Sequence, residues 1–486
     1  MNLEQAFQKG SFRSVIRMGL TSAPTRRVAL PFVEKKIWRA LVEDDPWDRP
    51  RQVQKDKFDI VAALLHSVDR ALKDGRISKH VLHRLLGTLL DNVWFSQRRQ
   101  QAEERLGFEP PLFLTVSPGK RCNLHCTGCY ACSDARSAAQ LDWDTFDRIL
   151  TEKERLWGSY FTVISGGEPF LWEDRGHNLL DMIAAHPSNS FLVYTNGTLI
   201  TEPVAGELAR LGNATPAISV EGFETQTDGR RGQGVHRRIL GAMARLREVG
   251  VPFGISVTAT RGNADLVTSD GFADFYFDEQ GATYAWLFQY MPIGRGHTLD
   301  LMVTPAQRLR MYERTWRMVR ERKRFIADLW NSGTATNGCI AAGRAGGYLY
   351  IDWNGDVTPC VFVPYAAANI NEVFRNGGNL DTLLGSPFLR RIRRWQDDYG
   401  YAQSSEDTGN WLCPCSMRDH FQEFLCAARE CEARPTDEAA SAALADTQYH
   451  AGMIAYGKEY DRLSSPCWRQ HYLAEEAAPL AGATLR

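Results

Sequence analysis

The chain predicts an α/β protein built on a parallel sheet, with an all-helical region before it and a cysteine-rich region after it. Three observations carry this. Six strand-like apolar runs, at 112–116, 160–164, 191–194, 217–220, 253–258 and 284–290, alternate with helix-like segments such as 144–157 and 236–249. Parallel neighbours need such crossovers. Up to about residue 105 the hydrophobic period is helical throughout, and seven of the eleven cysteines fall after residue 338. By pattern alone the sheet is either doubly wound or a partial barrel.

In order along the chain, Ile60, Val61, Leu64, Leu65, Val68 and Leu72 follow a helical period. So do Val81, Leu82, Leu85, Leu86, Leu89, Leu90 and Val93, after Ser78 as a candidate N-cap. The charged stretch 98–105 and then Pro110-Pro111 close this unit. The expected organisation is an N-terminal helical region (1–105), a strand–helix domain (106–300), a helical linker (301–335) containing a basic helix from Pro305 to about Arg324, and a cysteine-rich domain (336–486). The tail from Ala474 is Ala-rich and expected to be loose.

Hydrophobic content of 44% and charged content of 24% are those of a globular protein, and a net charge of −1 argues against nucleic acid as a partner. No apolar run reaches the roughly 18–20 residues a membrane-spanning helix needs. Eleven cysteines without a leader-like segment point to metal or cluster ligation in a reducing, cytoplasmic setting. Residues 1–40 carry eight Lys and Arg against two Glu, and Phe12, Val15, Ile16 and Leu20 share one helical face, with Arg13 and Arg17 off it. Such a helix either docks on its own protein or lies at an anionic membrane surface, which would make the protein peripheral at the inner face of a membrane.

The chemistry is concentrated in Lys120-Arg121-Cys122-Asn123-Leu124-His125-Cys126-Thr127-Gly128-Cys129-Tyr130. A structural cluster or zinc site wants four ligands. Three thiols on one loop after a strand hold three corners of a [4Fe–4S] cubane and leave one iron open. This Cys-x3-Cys-x2-Cys spacing resembles that of the radical S-adenosylmethionine (radical SAM) enzymes. Ser165-Gly166-Gly167-Glu168-Pro169 follows the second strand-like run, with Gly166 thirty-seven residues after Cys129. It is similar to the family's Gly-Gly-Glu-Pro segment, which binds the amino group of the methionine moiety.

The resemblance implies a partial (β/α)6 TIM-type barrel, with the cofactor at the C-terminal ends of the strands. It implies Cys122, Cys126 and Cys129 as cluster ligands. Gly166, Gly167, Glu168, Pro169, Asn196, Ser219, Glu221 and Tyr130 are its candidate contacts to S-adenosylmethionine. The glycines are expected where a ligand approaches the backbone closely. Arg230 and Arg231 either steady a carboxylate or are solvated surface residues. The family usually has an aromatic before the third cysteine, packing near the adenine; here that residue is Gly128, and Tyr130 follows one place later. Cys132 reads as a small buried residue.

Cys339, fifteen residues, Gly355, four residues and Cys360 resemble the opening of a SPASM-type auxiliary-cluster domain. Independently of the family, Trp353-Asn354-Gly355 between two short strand-like runs reads as a tight hairpin. The later cysteines keep the family's order but not its spacing: Cys413-x-Cys415, ten residues, Cys426, four residues, Cys431, then Cys467. By order, Cys413, Cys415, Cys426 and Cys467 would hold one auxiliary [4Fe–4S] cluster, and Cys339, Cys360 and Cys431 a second. The alternatives are one auxiliary cluster with spare buried thiols, or a zinc site.

The resemblance further implies reductive cleavage of S-adenosylmethionine to a 5′-deoxyadenosyl radical that abstracts hydrogen from an unactivated C–H. An electron donor such as flavodoxin or ferredoxin would be the partner. The substrate is either a peptide or protein side chain, or an apolar, lipid-like molecule; the run Tyr284, Trp286, Phe288, Tyr290 reads as a wall for the latter or as ordinary core. Val361 stands where sulfatase-maturing relatives carry an acid, which argues against a formylglycine-type oxidation. A non-catalytic iron–sulfur carrier or scaffold would explain the cysteines but not the Gly-Gly-Glu-Pro segment.

Overall fold

The computed structural model describes residues 23–44, 48–88, 97–296 and 298–474. The basic helix expected around Phe12 and Leu20, the positions Leu89, Leu90 and Val93, and the tail beyond Ala474 lie outside the described residues.

Among the described residues, four α-helices come first: α1 (Ala23–Trp38), α2 (Arg51–Lys73), α3 (Lys79–Thr88) and α4 (Gln97–Leu106). α2 is amphipathic and docks on the rest of the chain. Its fully buried Asp56 accepts hydrogen bonds from Thr334 Oγ1 (2.6 Å), Arg320 Nη2 (2.6 Å) and Tyr472 OH (2.8 Å). A carboxylate is tolerated there because it is paired and hydrogen-bonded. Val28 and Phe32 on α1 are exposed. No helix among the described residues is long and apolar enough to cross a membrane.

Seven parallel strands follow in sequential order: β1 (Phe113–Val116), β2 (Phe161–Ile164), β3 (Ser190–Thr195), β4 (Ala214–Val220), β5 (Gly254–Ala259), β6 (Tyr284–Gln289) and β7 (Ile326–Asp328). The first six match the strand-like runs of the sequence. β7 corrects the expectation of a helical linker at 301–335. Helix α10 (Pro305–Arg320) is there, but Ile326–Asp328 then pairs with β6, with Ala285 opposite Ile326. Three residues are too few to show a period in the sequence.

The crossover helices include α5 (Trp143–Trp157), α6 (Leu179–Ala185), α7 (Glu202–Leu211), α8 (Glu224–Arg231) and α9 (Val235–Glu248). α5 begins at Asp142, whose side chain accepts from Thr145 N, and ends at Gly158 with φ +58°.

β8 (Tyr348–Ile351) pairs in parallel with β1 on its other side, Phe113 opposite Tyr348 and Val116 opposite Ile351. It turns through Trp353-Asn354-Gly355, with Gly355 at φ +80°, into antiparallel β9 (Asp356–Thr358), and β10 (Ala368–Asn369) completes a ten-stranded sheet. One face packs on the helices. On the other, Val163, Leu192, Ala217 and Tyr284 form a separate cluster with Phe113, Phe161, Tyr194, Trp286 and Phe325 around it. Both faces of this parallel sheet are therefore buried, and the second cluster forms the interior of the partial barrel.

The last region contains α11 (Pro387–Gln396), the short α12 (Ser416–Asp419), α13 (Phe421–Glu430) and α14 (Thr447–Trp468). α10 is joined to it by Arg308, fully buried, which pairs with the buried Asp419 at 2.5 Å and donates to Leu412 O at 3.0 Å.

Lys153 on α5 is fully buried and donates to Ser159 O (2.7 Å) and Asn189 Oδ1 (3.0 Å). Burial holds its ammonium down to about 7. Above that pH the unfolded chain binds the extra proton and the folded one does not. Stability contributed at this site therefore rises from about pH 7 to the usual lysine range. Urea midpoints measured from pH 7 to 10 should climb in the native protein and climb less in Lys153→Met. Equal slopes in the two would contradict the assignment.

Candidate functional site

The loop leaving β1 carries the first three thiols. Its start is fixed from both sides: Ser117 N–H donates to Ile351 O on β8 (2.9 Å), and Ser117 Oγ lies 3.0 Å from Ser165 Oγ at the end of β2. Cys122 is buried, and its sulfur accepts from Leu124 N–H at 3.4 Å. Burial pushes this thiol up to about 12, and the neighbouring Cys126 and Cys129 thiols push in the same direction. Cys122, Cys126 and Cys129 all line one cavity of about 500 Å³. Cys132 does not; it sits half-buried at φ +47°, its N–H donating to Cys129 O.

Two arginines hold the loop. Arg230 Nε donates to Thr127 O (3.1 Å) and its Nη2 to Gly128 O (3.3 Å), while Arg295 donates to Cys126 O (2.8 Å) and Ser133 O (2.5 Å). Arg230 and Arg231 are largely buried and both pair with Glu221 Oε1 at 2.5 Å, so neither is a solvated surface residue. The Cys126 and Cys129 thiols lie close enough to Arg231 to favour its charged form. Glu221 Oε2 is buried without a hydrogen-bond partner. An orphan acceptor at the end of β4 fits a ligand hydroxyl.

The Gly-Gly-Glu-Pro segment meets this loop directly. Gly167 N–H donates to Gly119 O (3.0 Å) and Glu168 N–H to Arg121 O (2.8 Å). A Cβ at Gly167 would stand 2.2 Å from Arg121 O and 2.4 Å from Lys120 O; at Gly166, with φ +123°, one would stand 2.7 Å from Gly119 O. The glycines are thus demanded by the neighbouring loop, a closer constraint than the ligand approach expected from the sequence. Ser165, Gly166 and Gly167 line the cavity.

The Glu168 carboxylate is turned away from that wall. It accepts from Thr195 Oγ1 (2.7 Å) and Asn196 N–H (2.8 Å), tying the end of β2 to the end of β3. Burial raises its pKa to about 7. Only its backbone remains for a ligand ammonium. Pro169 is buried and opens a short 3-10 turn. Asn196 reaches the cavity, with Nδ2 on Asn123 Oδ1 (2.8 Å), and Ser219 lines it from β4.

Tyr130 is enclosed. Its hydroxyl accepts from Gly166 N–H at 3.2 Å and its ring packs edge-on to Phe362, centroids 6.1 Å apart. It joins the two motifs as a strut. Tyr290, following β6, takes the space an aromatic at position 128 would fill: a Cβ on Gly128 would lie 2.7 Å from its ring. Arg295 and Phe362 were not found by sequence reasoning, and Tyr290 was read only as one of the aromatics of the 284–290 run. The only signal was negative, a glycine where the family carries an aromatic ring.

The cavity continues from these thiols through the barrel interior, past Tyr194, Trp286, Phe288 and Phe362, to three further thiols, Cys339, Cys360 and Cys415. Tyr348 OH lies 2.8 Å from Cys360 Sγ. Cys413, Cys426, Cys431 and Cys467 do not reach it. Cys413 turns toward α14, 3.2 Å from Ser464 Oγ. Cys426 and Cys431 are five positions apart at the end of α13, about 140° around the helix. Cys467 lies on α14, near Tyr312 of α10. Of the seven cysteines grouped by sequence order, the structure thus places Cys339, Cys360 and Cys415 on the cavity and the other four away from it. Among the described residues no three Cys, His, Asp or Glu side chains form a ready-made single-metal site.

Residues 116–264 match the model of the Radical SAM superfamily. Mycofactocin maturase MftC of Mycolicibacterium smegmatis (strain ATCC 700084 / mc(2)155) is 30% identical over 302 residues, 60% of this chain and 74% of that protein. The AdoMet-dependent heme synthase of Methanosarcina barkeri (strain Fusaro / DSM 804) is 26% identical over 284 residues, 52% of this chain and 77% of that protein. Among solved structures, Streptococcus suis SuiB bound to precursor peptide SuiA aligns with a TM-score of 0.47 at 17% identity, over 66% of this chain and 80% of that one.

Two backbone carbonyls cannot move aside for a methyl group. Gly167→Ala is expected to lose about four irons per chain on anaerobic reconstitution, one cubane's worth. Gly206→Ala, on α7 with open space around it, should keep its iron. Full iron in Gly167→Ala would mean that the loops are not locked together here.

Proposed function

The chain belongs to the radical SAM superfamily, and on that premise we propose that it is a peptide-modifying radical enzyme whose substrate side chain enters the barrel cavity. The cluster, when bound, supplies the electron that cleaves S-adenosylmethionine and so the 5′-deoxyadenosyl radical that takes a hydrogen atom from an unactivated C–H.

Cys122, Cys126 and Cys129 are the cluster ligands in this reading. Arg231 offsets part of their charge, and Arg230 and Arg295 hold the loop rigid. The backbone at Gly166 and Gly167 and the side chains of Asn196 and Ser219 face S-adenosylmethionine, and Glu221 Oε2 accepts from one of its hydroxyls. Glu168, Pro169 and Tyr130 are positioning residues: each is spent on joining one loop to the next.

The observation that carries the reading is continuity. One cavity of about 500 Å³ runs from the three thiols into an aromatic barrel interior. Its apolar walls would shield a reactive radical from side reactions. The peptide assignment draws on the relatives named maturases and on the auxiliary-cluster resemblance of the Cys339 to Cys360 segment. The wall of Tyr194, Trp286, Phe288 and Phe362 suits an apolar or aromatic side chain. An apolar, lipid-like substrate is the second reading, favoured by the same wall and by exposed Val28 and Phe32 beside Lys35 and Lys36 on α1. A flavodoxin- or ferredoxin-type donor would deliver the electron.

Anaerobic incubation with dithionite and S-adenosylmethionine is expected to yield 5′-deoxyadenosine and methionine by mass spectrometry. The Cys122→Ala/Cys126→Ala/Cys129→Ala variant should yield neither. Equal product from both proteins, or none from the native one with its iron in place, would overturn the proposal.

A further inference from the structure

We propose that Gln289 is a specificity-determining residue: its carboxamide oxygen accepts a hydrogen bond from an O–H or N–H at the tip of the side chain that enters the cavity. The substrate group is then an aromatic or apolar body carrying one donor. The inference rests on the peptide-modifying reading above and deepens it, because an aromatic wall alone does not distinguish a polar tip from a bare one.

Gln289 closes β6, at the C-terminal end of the barrel strands where ligands sit, and lines the cavity beside Phe288. It is fully buried. Its Nε2 donates to both oxygens of Asp328, at 3.1 and 2.9 Å. A carboxylate only accepts, so the carboxamide cannot turn over without setting Oε1 against Asp328. Oε1 is thereby held away from Asp328, and it has no hydrogen-bond partner among the described residues. A buried acceptor left unpaired is costly, and the occupant of the cavity is the partner that remains.

The arrangement is rigid because Asp328 is itself engaged on every side. It is fully buried at the end of β7 and accepts from Trp330 N–H (3.0 Å), Asn331 N–H (3.2 Å) and Asn331 Nδ2 (3.0 Å). Asn331 Oδ1 in turn accepts from Arg308 Nε (3.2 Å) and Tyr460 OH (3.2 Å). A continuous run of hydrogen bonds thus leads from the buried Arg308–Asp419 pair to the cavity wall and ends at Gln289 Oε1. A specificity contact needs this kind of support behind it.

Two other cavity-lining residues carry a buried polar atom without a partner among the described residues, Trp286 at Nε1 and Ser133 at Oγ. An indole N–H only donates, and a hydroxyl rotates to suit either role. Gln289 supplies the fixed acceptor. A pocket built to pair a donor rejects the analogue that lacks it, because the acceptor is then stranded.

The test measures binding of small probes to the reconstituted full-length protein by calorimetry. p-Cresol and toluene differ by one hydroxyl, and 4-methylanisole keeps the oxygen without its hydrogen. p-Cresol is expected to bind about tenfold more tightly than either. Gln289→Met should erase this preference and leave toluene affinity unchanged, which also reports an intact cavity. Gln289→Glu, able to share one proton with Asp328, keeps an acceptor and should retain the preference at mildly acid pH. A preference that survives Gln289→Met, or one lost in Gln289→Glu with toluene binding intact, would overturn the proposal. So would 4-methylanisole matching p-cresol. An equal loss of S-adenosylmethionine affinity in Gln289→Met would assign the oxygen to the cofactor and overturn it as well. Native protein that prefers p-cresol through Gln289 yet yields no 5′-deoxyadenosine would count against the enzyme reading and leave this contact standing.

Discussion

The parallel pairing of β8 with β1 is the constraint on which the rest depends. β1 launches the loop of Cys122, Cys126 and Cys129, and Cys339 and Cys360 flank the β8–β9 hairpin. Zipping four residues of one strand against four of the other therefore sets both groups of thiols against a single cavity. The pairing is reinforced by a stack of Phe113 on Tyr348, centroids 5.0 Å apart and ring planes nearly parallel, and by Tyr350 OH donating to Ser117 Oγ at 2.8 Å. Cross-strand aromatic contacts of this kind contribute roughly 0.5–1.5 kcal/mol beyond their buried area.

A second clamp places Cys415. Arg308 and Asp419 are both withdrawn from water, and Arg308 also lies over the Tyr460 ring at 3.8 Å. A buried pair of this sort is weak evidence for added stability, but removing one partner costs about 3–5 kcal/mol because it strands the other charge. Asp419 also accepts from Cys415 N–H at 3.1 Å. The pair thus fixes the segment 412–419 against α10, with the thiol of Cys415 turned into the cavity. It works as a positional device.

The first thiol loop shows how backbone geometry and charge cooperate. Two glycines allow a loop to lie directly on another loop, and the amide hydrogen bonds between them replace side-chain contacts. Three thiolates on one loop repel each other; Arg231 lies beside them, and Glu221 holds it in place. Tyr290 fills the volume that Gly128 leaves open, so an aromatic missing from the loop is supplied from β6, distant in sequence.

Local patterns determined much of this protein. Six strand runs and their crossover helices could be read because their apolar periods are long enough to register. The spacing of Cys122, Cys126 and Cys129, the Gly-Gly-Glu-Pro segment and the Asn354-Gly355 turn are each contained within a dozen residues, where spacing in the chain is nearly spacing in space. Tertiary structure alone decided what depends on side-chain direction. β7 is too short to show a period, and Glu168 faces away from the cavity because Thr195 and Asn196 claim its carboxylate. Arg230 and Arg231 look like surface residues until Glu221 is brought against them. Of the seven C-terminal cysteines, sequence supplies order and count. Which of them meet is set by helix phase, by the turn of Cys413 toward Ser464, and by the strand pairing that brings residues 339 and 360 beside residue 113, contacts between positions more than two hundred residues apart.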